Sequence, residues 1–73
     1  MEYKVGDLLI TKVYCSIMTK DDRDEESEEN KIFLILKVVE DDNEGYLYEL
    51  ISQETGSISE WAYSYMDEHF NKV

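Results

Sequence analysis

The fold class predicted for this 73-residue chain is all-β: a small antiparallel barrel of about five short strands, with one short helical turn of 3₁₀ type near the C-terminus. Three observations predict it. Runs of β-branched and aromatic residues recur along the chain without a helix-period apolar stripe. Short clusters of Asp, Asn and Gly separate them, as turns do. The chain has no proline, and at this length it forms one domain, residues 1–73, near the lower limit for a single apolar core. Closure into a barrel follows as the economical architecture, because it leaves few unpaired strand edges.

The first strand is expected in "VGDLLITKVYCSIM", from Val5 onwards. Alternation puts Leu9, Thr11, Val13, Cys15 and Ile17 on one face and Leu8, Ile10, Lys12, Tyr14 and Ser16 on the other. Both faces hold apolar groups, the pattern of a strand that bends around a small barrel and changes partners. An acidic loop, residues 20–31, follows. "KIFLILKVV" reads as a strand buried on most of both faces, with Lys37 reaching outwards. "EDDNEG" supplies a turn in which Gly45 takes positive φ, and "YLYELIS" returns as the second arm of a hairpin. "QETG" is a further turn at Gly56, and "SISEWA" a fourth short strand. Ser64 followed by Asp67 resembles a capping box, so "YSYMDEHF" reads as one helical turn, and "FNKV" as a closing strand.

Charge is distributed unevenly. Asp and Glu number 18 against 7 Lys and Arg, for a net charge of −11. In "DDRDEESEEN", seven carboxylates against one arginine give −6. "EDDNE" at 40–44 gives −4, which leaves −1 for the rest of the chain. Such a balance repels phosphate backbones and anionic membranes, so neither direct nucleic-acid binding nor membrane binding is expected. No apolar run approaches the roughly 20 residues that span a bilayer, and "MEYKVGD" has neither a basic start nor a hydrophobic signal core. A soluble, cytoplasmic protein is the expectation. Cys15 has no disulfide partner within the chain, and no Cys/His cluster offers zinc ligands, so neither metal nor other cofactor is expected.

The stretches "KVGDLLITK", "FLILKVVED" and "YELISQETGSISEWAYSYMDEHFNKV" together resemble the small SH3-like barrel proteins of tailed bacteriophages, of the T4-like cyanophage type. The similarity covers nearly the whole chain apart from the acidic segment. Val5, Gly6, Asp7 and Leu8 match the family's opening turn, Gly56 the glycine of its distal turn, Trp61 the tryptophan before its helical turn, and Met66 its apolar residue there. "FLILKVV" lacks the glycine that opens the corresponding strand, and the acidic segment lengthens the first connection. The resemblance implies an SH3-like barrel and a viral origin, with a place in the host cytoplasm, and no inherited catalytic residue.

Two features bear on function. Tyrosine and tryptophan combine apolar area with a polar tip, which suits them to protein interfaces. Trp61 and Phe70 are expected in the core, and Tyr63 and Tyr65, with Tyr46 and Tyr14, as contacts on an aromatic surface. The acidic residues Asp21, Asp22, Asp24, Glu25, Glu26, Glu28 and Glu29 form the second feature. Neither acidic stretch has the alternate-ligand spacing of an EF-hand, so specific calcium binding is not expected. Blocks of like charge are most often solvated connections. The expected function is a non-catalytic module that binds a host or viral protein, with self-association as a further expectation. The alternatives are an acidic nucleic-acid mimic that inhibits a host nuclease or polymerase, and a structural component of a virion. A Cys15/His69 enzyme is not expected, because no oxyanion-donor loop accompanies the pair, and Cys15 reads as a small core residue.

Overall fold

In a computed structural model, residues 3–73 of the chain are described. Seven strands and one helix run in the order β1 (Leu8–Thr11), β2 (Cys15–Met18), β3 (Asp24–Ser27), β4 (Ile32–Asp41), β5 (Gly45–Ser52), β6 (Ile58–Ala62), α1 (Tyr63–His69) and β7 (Phe70–Lys72). Five strands form an antiparallel sheet in the order β6-β5-β4-β1-β7, and β2 and β3 form a separate two-stranded ribbon. The all-β class holds. The strand ladders of the described residues do not close into a barrel, and there are seven strands where about five were expected. Ribbon and helix, rather than a continuous ladder, cover the inner face of the sheet.

The expected first strand is divided. Residues 5 and 6 lie in a turn, in which Gly6 has φ 92° and the Asp7 amide donates to the Lys4 carbonyl. The chain leaves the sheet after Thr11. Thr11 and its neighbours are bonded away from a straight continuation: the Lys12 amide donates to His69 O, the Asn30 amide to Thr11 O, and the Thr11 hydroxyl to Glu28 O at 2.7 Å. The predicted inward face survives the bend, with Leu9, Thr11, Cys15 and Ile17 all buried. Val13 is the exception, because it sits in the bend itself and faces solvent.

The acidic segment is not simply a loop. Asp24–Ser27 pairs with β2 in the register Cys15↔Ser27, Ser16↔Glu26, Ile17↔Glu25 and Met18↔Asp24. Thr19 organises the turn between them: its amide donates to Arg23 O at 2.9 Å, and its side-chain oxygen accepts from the Arg23 amide at 3.1 Å. Asp22 and Asn30 take positive φ, which short polar side chains tolerate best after glycine. Low strand propensity is overridden here by the partner strand: Cys15 and Ile17 anchor the ribbon on the core, and β3 is carried along their edge.

The β4–β5 hairpin is the longest pairing, and a bulge between Ile35 and Lys37 interrupts it. An extra residue bends the strand, so Leu36 turns outwards while Phe33, Ile35 and Val38 all face the core. The expectation that "KIFLILKVV" is mostly buried on both faces is therefore corrected, since Leu36 and Val39 are exposed, while Lys37 reaches outwards as expected. At the hairpin tip the Asp41 carboxylate accepts from the Asn43 and Glu44 amides, and Gly45 takes φ 82° as expected.

α1 is an α-helix of seven residues rather than a 3₁₀ turn. Its N-cap is Ala62 without a side-chain cap bond, so the Ser64/Asp67 capping box does not form; Asp67 instead accepts the Tyr3 hydroxyl. Met66 is fully buried and holds the helix to the core. Phe70 leaves it directly into β7, the expected closing strand. The core comprises Tyr3, Leu9, Cys15, Ile17, Phe33, Ile35, Tyr48, Leu50, Met66 and Phe70. Phe70 stacks edge-on against Phe33 at 5.4 Å and against Trp61 at 5.0 Å. Trp61 packs on this core from its margin, only partly buried, with Nε1–H donating to Ser59 Oγ at 2.9 Å.

Candidate protein-interaction surface

Inward residues of the five-stranded sheet alternate with outward ones, and much of the outward set is apolar. In β1, Leu8 and Ile10 flank buried Leu9; in β4, Ile32 and Leu34 flank buried Phe33; in β5, Ile51 follows buried Leu50; in β6, Ile58 precedes buried Ser59. Directly opposed residues of an antiparallel pair share a face, so the register Leu8↔Leu34, Leu34↔Ile51 and Ile51↔Ile58 lays one apolar row across four strands. Beyond the bulge, Lys37↔Glu49 and Glu49↔Glu60 make a charged row. Val39↔Leu47 and Leu47↔Ala62 then make a second apolar row. At one end the face hollows into an open groove of about 560 Å³ lined by Leu8, Ile32, Leu34, Ile51, Ser52, Gln53 and Gly56.

The charges on this face are mutually compensated. Lys20 reaches Glu49 at 3.0 Å, and the contact raises the lysine pKa, with Glu60 adding to the effect. Lys31 pairs with Glu54 at 2.8 Å beside the groove, which also raises that lysine; Lys72, 3.3 Å from Asp7 at the β1–β7 edge, is instead in register with inward Leu9. The Lys4 amide at 2.9 Å, helped by Lys72, holds the Asp7 carboxyl below its usual range.

The acidic ribbon is a different surface. Glu25 turns inwards, accepting from the hydroxyls of Ser57 and Thr55, and Asp21 accepts from the Thr19 hydroxyl and pairs with Arg23 at 2.9 Å. The Thr19 bond, then Arg23, holds Asp21 below the usual carboxylate range. Glu26 accepts the Tyr14 hydroxyl, which raises the tyrosine pKa. Asp22, Asp24, Glu28 and Glu29 face solvent. Among the described residues, no group of three or more His, Cys, Asp or Glu is placed to hold a metal ion.

The four tyrosines named from the sequence occupy separate positions. Tyr14 is 57% exposed at the start of the ribbon, and Tyr65 is 52% exposed on α1, with its ring 6.2 Å from that of His69. Tyr46 and Tyr63 are partly buried against the core, and Tyr63 contacts Tyr3 and Tyr48, both at 6.2 Å. Cys15 is buried, and burial pushes its thiol pKa up, away from a reactive thiolate. His69 Nδ1 lies 2.9 Å from Tyr65 O, and its ring packs against Trp61.

Comparisons with family models, curated proteins and solved structures return no match to this chain. Function therefore rests on the surfaces just described. No helix among the described residues is long and apolar enough to cross a membrane. The outward row of Leu8, Leu34, Ile51 and Ile58 escaped the sequence reading. Its signal was there, in the apolar residues of both phases in "DLLI" and "IFLIL", but that pattern reads equally as a strand buried on both sides.

Proposed function

We propose that this chain is a non-catalytic protein-interaction module whose principal contact surface is the outer face of the five-stranded sheet. The observation that carries this reading is the apolar row Leu8, Leu34, Ile51 and Ile58, aligned in register beside a groove, with Leu8 exposed and the other three partly so. Contiguous apolar surface on a small domain marks a place where another surface sits. Tyr14 and Tyr65, the two well-exposed members of the expected aromatic set, are secondary contacts, and the acidic ribbon steers encounter and keeps wrong partners away.

The element order supports the SH3-like reading: a long first connection, a three-strand meander, a helical segment and a closing strand that returns to β1. With it comes the proposal of a phage-encoded protein acting in the host cytoplasm. The test is co-purification with quantitative mass spectrometry, comparing the wild type with Leu34→Lys and with Tyr14→Ala/Tyr65→Ala. Loss of the main partner is expected with Leu34→Lys, and a smaller loss with the tyrosine pair. A partner retained at wild-type level by Leu34→Lys removes the sheet face from the reading.

One observation favours a second reading, the nucleic-acid mimic. Asp24 and Glu26 share the outward side of an ordered strand, so part of the acidic array has a fixed spacing rather than a loop's variable one. A mimic inhibits a nuclease or polymerase with potency that falls steeply as salt rises, and it loses that potency when Asp22, Asp24, Glu26, Glu28 and Glu29 are neutralised.

A further inference from the structure

We infer that the chain takes a short extended segment of another protein at the seam between β2 and β6, a segment with one apolar side chain flanked by two basic ones. The seam is separate from the apolar row of the outer sheet face, so the inference goes beyond the interaction-module reading.

The seam follows from strand register. β2 and β6 meet at Thr19↔Ser59, with the Lys20 amide donating to Ile58 O at 2.8 Å. Antiparallel continuation would next pair Met18 with Glu60 and Ile17 with Trp61, but among the described residues β2 is laddered only to β3, and β6 only to β5. Between the two edges lies a slot of about 150 Å³ lined by Ser16, Ile17, Met18, Glu60 and Trp61, the residues that a continued ladder would bring together. Backbone groups of alternate residues in a strand point to the same side. Because Lys20 and Ile58 bond across the seam, Met18 and Ser16 on β2 and Glu60 on β6 turn their backbone groups towards it as well. Facing strand edges of this kind accept an extended peptide through main-chain bonds, and pockets for alternate side chains give it specificity.

The chemistry of the slot selects the segment. Buried Ile17 and partly buried Trp61, which packs on Phe70, form its apolar floor. A space of this size holds one ring or one branched aliphatic side chain. The rim is acidic: Glu60 lines the slot, and Asp24 and Glu26, in register with Met18 and Ser16, are exposed on the ribbon beside it. No cation lines the slot, and Lys20 and Arg23 are paired with Glu49 and Asp21. A segment lying along the free edge of β2, with its anchor level with Ile17, sets the two flanking residues level with Ser16 and Met18 on the opposite face. Long basic side chains there reach Glu60 on one side and Glu26 and Asp24 on the other, while acidic ones are repelled. No stretch of this chain has an apolar residue with a basic one on each side, so a second copy does not supply the segment.

The test titrates the blocked peptide Ser-Thr-Lys-Leu-Lys-Thr-Ser into the whole chain, to about 2 mM, read by the fluorescence of Trp61, the one tryptophan, and by NMR of the backbone amides. Expected are a saturable change in Trp61 emission, amide shifts and slowed exchange concentrated at Ser16, Met18 and Glu60, and an affinity that falls as salt rises. Replacing the peptide's Leu by Ser, or both its Lys residues by Glu, is expected to weaken binding about tenfold or more. Glu60→Lys in the protein does the same, whereas Glu44→Lys, an equal change of charge at the β4–β5 turn, has little effect. A peptide that fails to bind up to that concentration, binds as well without its Leu, or shifts amides away from the seam overturns the inference. Equal losses from Glu60→Lys and Glu44→Lys overturn it too, because the attraction is then to net charge alone. Leu34→Lys, on the sheet face, is expected to leave peptide binding unchanged, so the module reading stands or falls separately, on co-purification.

Discussion

The β4–β5 hairpin and the β2–β3 ribbon are both antiparallel pairs joined by tight turns, yet they are held in opposite ways. The hairpin carries its own reason to exist: Phe33, Ile35, Tyr48 and Leu50 are buried along its inner side. The ribbon is half borrowed, since only Cys15 and Ile17 of β2 reach the core, while β3 contributes a carboxylate and a serine on its inward side. The contrast teaches that a strand of poor propensity forms when its neighbour is anchored and its own inward polar groups find hydrogen-bond partners.

Breaking the stronger side should cost most. Phe33→Ala is expected to remove about 3–5 kcal/mol of stability, read by urea denaturation, since it empties the contact between hairpin and Phe70. Ile17→Ala should cost roughly 2 kcal/mol, the low end for such truncations, and amide exchange should quicken in β2 and β3 while β4 and β5 stay protected. A hairpin that loosens equally would show that the ribbon is not a separate anchor.

Smaller changes sharpen the contrast within the ribbon. Glu25→Ala should cost about 1 kcal/mol, because the Ser57 and Thr55 hydroxyls lose their acceptor. Asp24→Ala, two residues from Asp22 and facing solvent, should stay within about 0.5 kcal/mol of wild type and can fall on the stabilising side. The smallest effect is one of pH. The folded state holds Asp21 below the ordinary carboxylate range, so its contribution is present at neutral pH and is lost as pH falls through that depressed value. The gap in urea midpoint between wild type and Asp21→Asn should therefore be visible at pH 7, begin to narrow below about pH 4, and vanish only below the depressed value. A gap that persists in acid would mean the Thr19 and Arg23 contacts are not its source.

Much of the fold was legible in the sequence because it depends on alternation and turn chemistry. The hairpin, the Gly45 and Gly56 turns, the helical segment around Met66 and the closing strand at Phe70 all follow from local pattern. The break after Thr11 was not legible, since it depends on bonds to His69, Asn30 and Glu28, remote in sequence. β3 was hidden for the same reason: nothing in "DEES" announces a strand, and its cause lies in Ile17 and Ser57. The outer face was half visible, as two-sided apolar runs. Which side would be covered is decided by where the ribbon and helix dock.

β6, α1 and β7 follow one another with no residue between them. A seven-residue helix does not persist alone in water, so α1 exists only while the strands at both its ends are in place. Opening either the β5–β6 or the β1–β7 ladder therefore melts α1 as well, and with it the burial of Met66.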